Sequence, residues 1–467
     1  MSENCNKDCA NCGCIEDKKA VIVGAGLVGA LWSIYLQKAG YSVEIYEKRG
    51  DIREATAGAG KSINLATSFR GWKALEEVGI ADEIKKIAIP MYGRHLHYEN
   101  GDHALQPYGI NGQAIYSVSR KDLNAKLISI SEEMGKAKFF FHHDLETANA
   151  NNGHLEFINL KDQSTVKLEN KIVFACDGAF SATRYSAFMR KDQFTYSQKY
   201  IPDGYREILL PANEDGTPKL AKNVLHIWPR NQFMLIALPN FDNSFTCTLF
   251  MPFEDERFSF NQLKSKEDVT AFFKSTFPDF YDLMPNVADD WENHPLSSLA
   301  IVQCYPWSNE RIALMGDAAH ATVPFFGQGM NCGFEDCTVM NQLMLEKNHD
   351  WSAVFSAYEK SRKPNTDSMQ ALSVRNYEVM RSKVNEEEYL LLQRVERHLQ
   401  QLYPDKYFSL YSMVAFTDID YKVALDKGEE QEMKLMKFTM NHKITSQTPD
   451  DQLNLELIEF FKTEEIG

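Results

Sequence analysis

The chain has 467 residues, 44% of them hydrophobic and 12% aromatic, enough for a large buried interior and more than one core usually holds, so about two or three packed units are expected. Fifty Lys and Arg stand against 65 Asp and Glu, a net charge of −15, and no basic run is present to neutralise phosphates, which argues against nucleic-acid binding. No apolar stretch approaches the roughly 18–20 residues that span a bilayer, and residues 1–16 lack the apolar segment of a secretory signal, so a cytoplasmic protein without a membrane anchor is expected.

The polar segment 1–17 carries Cys5, Cys9, Cys12 and Cys14. Four thiolates so close together could wrap zinc or an iron–sulfur cluster. Small metal sites usually space their ligand pairs further apart, so a disordered polar leader is preferred and no metal ligand is assigned. Cys176, Cys247, Cys304, Cys332 and Cys337 are scattered singly through apolar or motif segments, as suits reduced, buried thiols.

Lys19–Val23 favours a strand, 27–39 has helical apolar spacing up to Gly40, and 41–46 alternates again, which makes one βαβ unit. Gly24, Gly26 and Gly29 fall at its first turn and Glu47 at the tip of its second strand. The first glycine permits the turn, the second lets a pyrophosphate approach the backbone, and the third lets helix and strand pack closely, while Glu47 would accept a ribose hydroxyl. A 2′-phosphate would be repelled by Glu47, so FAD or NAD is expected here rather than NADP.

A strand-like run over 167–176 ends at Asp177-Gly178, again a turn that a nucleotide could lie beside. From 205 to 253 the segments YREILLP, NVLHIWPR, QFMLIALPN and SFTCTLFMP alternate between turn residues and predict an antiparallel sheet that could wall a substrate pocket. Residues 312–315 deliver the pair Gly316-Asp317, whose carboxylate could hold a ribityl or ribose hydroxyl. The loop Pro324, Phe325, Phe326, Gly327, Gln328 follows, and a helix then begins at Gly329-Met330-Asn331, where backbone N–H groups could stabilise negative charge. Residues 351–401 are helical in spacing.

Taken in order, GAGLVG, CDGAFSATR and GDAAHATVPFFGQGMN resemble the group A flavin-dependent aromatic hydroxylases. Longer segments, among them KSINLATSFRGWKAL, IPMYGRHLHYENG, YSVSRKDLN and RNYEVMRSKV, are similar to members of that group that act on L-kynurenine, from Lys19 to about Ala424. The resemblance implies an α/β fold: a Rossmann-like FAD-binding domain (18–75, 105–185 and 300–345), an inserted antiparallel-sheet substrate domain (76–104 and 190–299) and a C-terminal helical region (346–467). It implies resident FAD, NADPH as co-substrate without a nucleotide domain of its own, O2, and hydroxylation of L-kynurenine ortho to its amino group.

Carried over by residue, Val28, Tyr46, Glu47, Lys48, Arg49, Ala66, Arg120, Leu145, Asp317, Met330 and Asn331 would touch FAD, and Arg94, Tyr108, Asn376 and Tyr411 would hold the amino acid. Arginine grips a carboxylate through two parallel bonds as lysine cannot. Hydroxylation in that group runs through a flavin C4a-hydroperoxide and needs no protein nucleophile, so no catalytic side chain is assigned. His320 is expected to cap the loop or pack beneath the flavin. Two alternatives remain open: a related flavin hydroxylase or oxidase with another aromatic substrate, for which the Arg94 set would have nothing to bind, and a flavin-binding protein without catalysis. Animal members continue into a membrane-anchoring segment, whereas this chain closes with LNLELIEFFKTEEIG, an acidic amphipathic helix without a basic polar face.

Overall fold

A computed structural model describes residues 18–54, 64–109, 112–189, 193–289, 291–382 and 386–463. The cysteine tail, with Cys5, Cys9, Cys12 and Cys14, lies outside the described residues.

Five parallel strands form the first sheet, in the order Ile312–Leu314, Val173–Ala175, Lys19–Val23, Ser42–Tyr46 and Ala137–Phe140. Its central strands are apolar on both faces because both are covered: on one, Phe174 meets Trp32 of Leu27–Lys38, a helix buried along most of its length with Ala30, Leu31, Trp32, Ile34 and Leu36 inaccessible to solvent, and on the other Tyr46 stacks on Phe157 of the strand His154–Asn159. All strands run the same way, so their carboxyl ends share one edge. That edge carries Gly24, Glu47, Asp177 and Gly316-Asp317, segments far apart in sequence.

The glycines at the first turn behave as their spacing predicts. Gly24 has φ +97°, a conformation that penalises any side chain. A Cβ on Gly29 would stand 2.1 Å from the Gly24 carbonyl oxygen, whereas one on Gly26 would meet nothing within 4 Å. The space before Gly26 is therefore open to a ligand.

Seven strands make a second, largely antiparallel sheet, ordered Ser297–Tyr305, Thr195–Leu210, Phe245–Pro252, Phe233–Pro239, Leu225–Arg230, Gly93–His97 and His103–Pro107. Its one parallel pairing sets Leu225 opposite Arg94. One face packs on Lys266–Thr276 and Pro278–Leu283 through Phe272, Phe273, Phe277 and Phe280. The other packs through Leu96, Ile227 and Phe250, with Tyr108 at the sheet's end, on Val323, Phe325, Tyr377 and Met380. His103–Pro107 and Ser297–Tyr305 both belong to this sheet and cross the expected boundaries at 104 and 300.

The run expected as one strand over 167–176 is two. Thr165–Leu168 joins a three-stranded antiparallel sheet with His154–Asn159 and His143–Asn149, and Val173–Ala175 joins the parallel sheet. Asn170, at φ +54°, turns the chain between them. The Trp351–Arg381 helix follows, 31 residues long, then Glu387–Leu402, Leu410–Phe416, Tyr421–Asn441 and Asp450–Thr463. Leu453 and Leu457 of the last are fully buried against Leu399, Leu435 and Phe438, which gives this closing helix an intramolecular face. No helix among the described residues is long and apolar enough to cross a membrane.

Two substitutions separate packing from ligand space. Gly29→Ala is expected to lower the stability of the ligand-free protein by about 1–3 kcal/mol through overpacking, and Gly26→Ala to leave its thermal midpoint within error; differential scanning calorimetry of both variants checks the contrast.

Candidate active site

The segment 316–331 is fastened by one buried carboxylate. Asp336 is fully inaccessible, and its Oδ2 accepts the Gly316 N–H at 2.9 Å and stands 2.6 Å from His320 Nε2. Its Oδ1 accepts Arg362 Nε at 2.8 Å. Burial alone would raise the Asp336 carboxyl, but the adjacent charges and hydrogen bonds of His320 and Arg362 hold it down at about 2. Arg362 also donates to Glu335 at 2.6 Å, and Glu335 accepts Arg70 Nε at 2.8 Å. His320, 2% exposed, is a packed member of this group beside Trp307. Cys332 stands close by, but these donors are already committed to Gly316 and Arg362.

Asn331 is a staple. Its Oδ1 accepts the Ser68 N–H at 2.9 Å, and its Nδ2 donates to the carbonyls of Ala66 and Gly327 at 2.8 and 2.7 Å. The side chain expected on FAD is thus spent on the loop, and only the backbone of Asn331 is left to face a ligand. Gly329–Glu346 begins without a side-chain cap, so the first N–H groups of the helix point out of its end, beside the loop. Gln328 is buried and accepts the Tyr421 hydroxyl at 2.9 Å. Gly327 sits at φ +68° with Ala66 3.2 Å from where its Cβ would be.

At the parallel-sheet edge, Val28 packs against Gly316, and the exposed Asp317 carboxylate makes no hydrogen bond or ion pair to another described residue. Glu47 accepts the Ala25 N–H at 2.8 Å and the Arg49 N–H at 2.9 Å, so it shapes the glycine turn itself. The other residues expected on FAD have the following surroundings. Tyr46 is sandwiched between Phe140 and Phe157, at 4.7 and 4.3 Å between ring centres, and its ring belongs to the core. Asp177 accepts from Ser181 and from the Thr183 amide and hydroxyl, capping its own turn, and burial pushes its carboxyl up. Lys48 pairs with Asp144 at 2.7 Å, Leu145 is buried in the three-stranded sheet, and Arg120 is exposed at the start of Arg120–Glu133. Met330 is buried at the helix start.

The four residues expected on the substrate converge around the Phe325-Phe326 loop. Tyr108, Tyr411 and Phe326 stack in a column, with ring centres 5.1 and 5.5 Å apart. The Arg94 guanidinium lies 4.7 Å from the Tyr411 ring centre and 5.5 Å from that of Tyr108. Among the described residues no carboxylate pairs with it, and both its Nε and the Tyr108 hydroxyl are buried without a hydrogen-bond partner. Arg94 as a whole is half-buried, and a positive charge held there without a carboxylate partner suits an anion. Asn376 donates to the Phe325 carbonyl at 2.6 Å, and Phe325 stacks on Tyr377 at 3.9 Å. A cavity of about 550 Å³ opens beside Arg94, Tyr108 and Tyr411, and a smaller one of about 120 Å³ lies between Phe326, Asn376 and Tyr411. The four side chains therefore meet in space, and no described carboxylate is paired with the guanidinium at their centre.

Glu396 lines both cavities and was not singled out in the sequence. Burial, opposed by hydrogen bonds from Tyr407 at 3.2 Å and Gln393 at 2.8 Å, raises its carboxyl to about 7. The five described cysteines are free and buried or half-buried thiols, and burial raises Cys304 to about 12.

Comparison with known proteins adds three findings. The family described as FAD binding domain matches residues 17–372. A kynurenine 3-monooxygenase of Flavobacterium psychrophilum is 43% identical, over 96% of this chain and 99% of its own, and one of Sus scrofa is 40% identical, over 89% and 88%. Among solved structures, a 2-methyl-3-hydroxypyridine-5-carboxylic acid oxygenase superposes with a TM-score of 0.66 at 19% identity, over 81% of this chain and 96% of that one, a likeness of fold.

The Glu396 environment predicts a stability trend with pH. Its folded-state value of about 7 lies above the ordinary 4.5, so between these two the folded protein keeps a proton that the unfolded chain has released, and stability falls as pH rises through that window. The thermal midpoint should drop less from pH 5 to pH 8 in Glu396→Gln than in the parent; equal drops would remove Glu396 as the cause.

Proposed function

The chain belongs to the kynurenine 3-monooxygenase family of FAD-binding aromatic hydroxylases, and from that membership we propose the division of labour among its own residues. It is an FAD-dependent monooxygenase that converts L-kynurenine to 3-hydroxy-L-kynurenine at the expense of NADPH and O2. Bound FAD supplies the redox chemistry, taking a hydride from NADPH and activating O2.

The residues at the carboxyl edge of the parallel sheet suit that cofactor. Gly26 leaves open space at the turn where a pyrophosphate would approach, the free carboxylate of Asp317 suits a ribityl or ribose hydroxyl, and the uncapped start of Gly329–Glu346 offers N–H groups to a negatively charged ring edge. Val28, Gly24 and Gly29 shape the floor. For Tyr46, Arg49, Ala66, Arg120, Leu145, Met330 and Asn331, backbone or partial contacts to FAD are part of the proposal.

The single observation that carries the substrate assignment is the Arg94 guanidinium, set against two tyrosine rings at the cavity with its Nε buried and unsatisfied and with no carboxylate paired to it among the described residues. We assign it to the α-carboxylate of the amino acid, with the hydroxyls of Tyr108 and Tyr411 donating to the same group. Asn376, by holding the Phe325 carbonyl, fixes the Pro324, Phe325, Phe326, Gly327, Gln328 loop against the aromatic column. Phe325 and Phe326 exclude water from the reacting ring. No protein side chain is asked to attack the substrate, and His320 is occupied by Asp336. The described thiols, all free, suit the cytoplasm, which we take as the site of action.

Purified enzyme given NADPH, O2 and L-kynurenine should yield 3-hydroxy-L-kynurenine, identified by mass spectrometry. Arg94→Met should raise KM for L-kynurenine by roughly 100-fold, about 2–3 kcal/mol of a charged hydrogen bond, with FAD content unchanged. Arg94→Lys should recover only part of that loss. An Arg94→Met enzyme with the parent KM would refute the assignment.

A further inference from the structure

Four histidines gather on the opposite face of the strand that carries Arg94. His95 and His97 alternate with Arg94 and Leu96 along Gly93–His97, so their rings leave the sheet on the side away from the substrate cluster. His226 is in register with His95 on the neighbouring parallel strand, and His103 with His97 on the antiparallel one. Ring centres are 4.6 Å apart for His95 and His97, 5.2 Å from His226 to each of these, and 4.8 Å for His97 and His103. One ring nitrogen from each of His95, His97 and His226 lies within 4.8 Å of the others. His97 and His226 are buried, His95 is half-buried, and the exposed His103 stands at the open rim.

The hydrogen bonds around the cluster determine where the protons sit. His226 Nε2 is 2.8 Å from the Ala221 carbonyl, which can only accept, so that nitrogen bears the hydrogen. His97 Nδ1 is 3.2 Å from Asp279 Oδ2, an oxygen that also takes the Trp228 indole N–H at 2.6 Å, so His97 donates there. With both outer nitrogens carrying hydrogen, the neutral rings present lone pairs at His97 Nε2 and His226 Nδ1. Those two atoms face each other at 2.9 Å. Two lone pairs repel at that separation, and a cation between them, either an added proton or a metal ion, removes the conflict.

The outer partners are those that orient imidazole metal ligands, a carboxylate on one ring and a backbone carbonyl on the other. Three imidazoles are a donor set that zinc accepts at about 2.0–2.1 Å, which places neighbouring nitrogens about 3.3 Å apart in tetrahedral geometry. Opening the His97–His226 contact by a few tenths of an ångström meets that requirement. The Arg230 guanidinium is the neighbouring positive charge, and it is turned toward the carbonyls of Thr276, Pro229 and His97.

We propose that His95, His97 and His226 form a binding site for a borderline divalent transition metal, zinc foremost, with His103 or water completing the coordination. Binding releases the bridging proton where one is present. The loaded site ties Gly93–His97 to Leu225–Arg230 directly behind Arg94.

The test uses the full-length, FAD-loaded chain in which Cys5, Cys9, Cys12 and Cys14 are replaced by serine, so that the tail cannot hold zinc. After chelator treatment, titration calorimetry with Zn2+ should give one ion per chain. X-ray absorption at the zinc edge should show nitrogen or oxygen neighbours at about 2.0 Å and no sulfur at about 2.3 Å. His95→Asn and His226→Asn should each weaken the Kd at least tenfold; His95→Asn alone suffices if the buried His226 variant does not fold. Absence of binding, a sulfur-containing shell that would point to Cys332, or a Kd unchanged in His95→Asn overturns the proposal.

Discussion

The architecture turns on the Asp336 carboxylate. Fully buried, it holds the Gly316 amide at the end of a parallel strand, the His320 ring in the following turn and the Arg362 guanidinium on the 31-residue helix. Removing one member of such a group would leave a charge in a low-dielectric interior, which is why breaking buried pairs is so costly. Three elements from different parts of the chain therefore have one relative placement. The residues between them, 316–331, inherit it: Asp317 faces outward, the Phe325-Phe326 loop is pressed on the aromatic column, and the uncapped helix end sits beside both.

That fixed frame explains how a chain with no assigned protein nucleophile can be an enzyme. The demands of the reaction are positional: a ring held against FAD, a carboxylate gripped at the other end, and water kept away. Asn331 and Asn376 serve the first by tying loop carbonyls and amides with their own side chains. The unpaired Arg94, set against two tyrosine rings, suits the second. The same strand then faces two environments, with Arg94 toward the cavity and the histidine cluster behind it.

Local features were legible in the sequence because they need only local physics. Gly24, Gly26 and Gly29 follow from turn and packing geometry, and the strands over 205–253 from strict alternation. The split of 167–176 escaped because the break Glu169-Asn170-Lys171 is short and has no glycine or proline, although Asn170 takes the left-handed turn conformation there. The Asp336, Arg362, Glu335 and Arg70 network escaped for another reason. Its members lie far apart in the chain and become partners only through packing; an acidic pair inside the apolar segment CGFEDC was the one available hint. Tyr46 and Asp177 show the converse, since a motif fixes where the backbone runs but not that a given side chain faces the ligand. The histidine cluster likewise needs strand register to bring His226 beside His95.

In the proposed division of labour, Arg94 takes the substrate's carboxylate. Dissociation constants of L-kynurenine and of its decarboxylated amine, measured by flavin absorbance changes in the parent enzyme and in Arg94→Met, test it through a thermodynamic cycle. The account predicts that the parent prefers the amino acid by roughly 100-fold and that this preference collapses to near unity in Arg94→Met. A preference that survives loss of the guanidinium would contradict it.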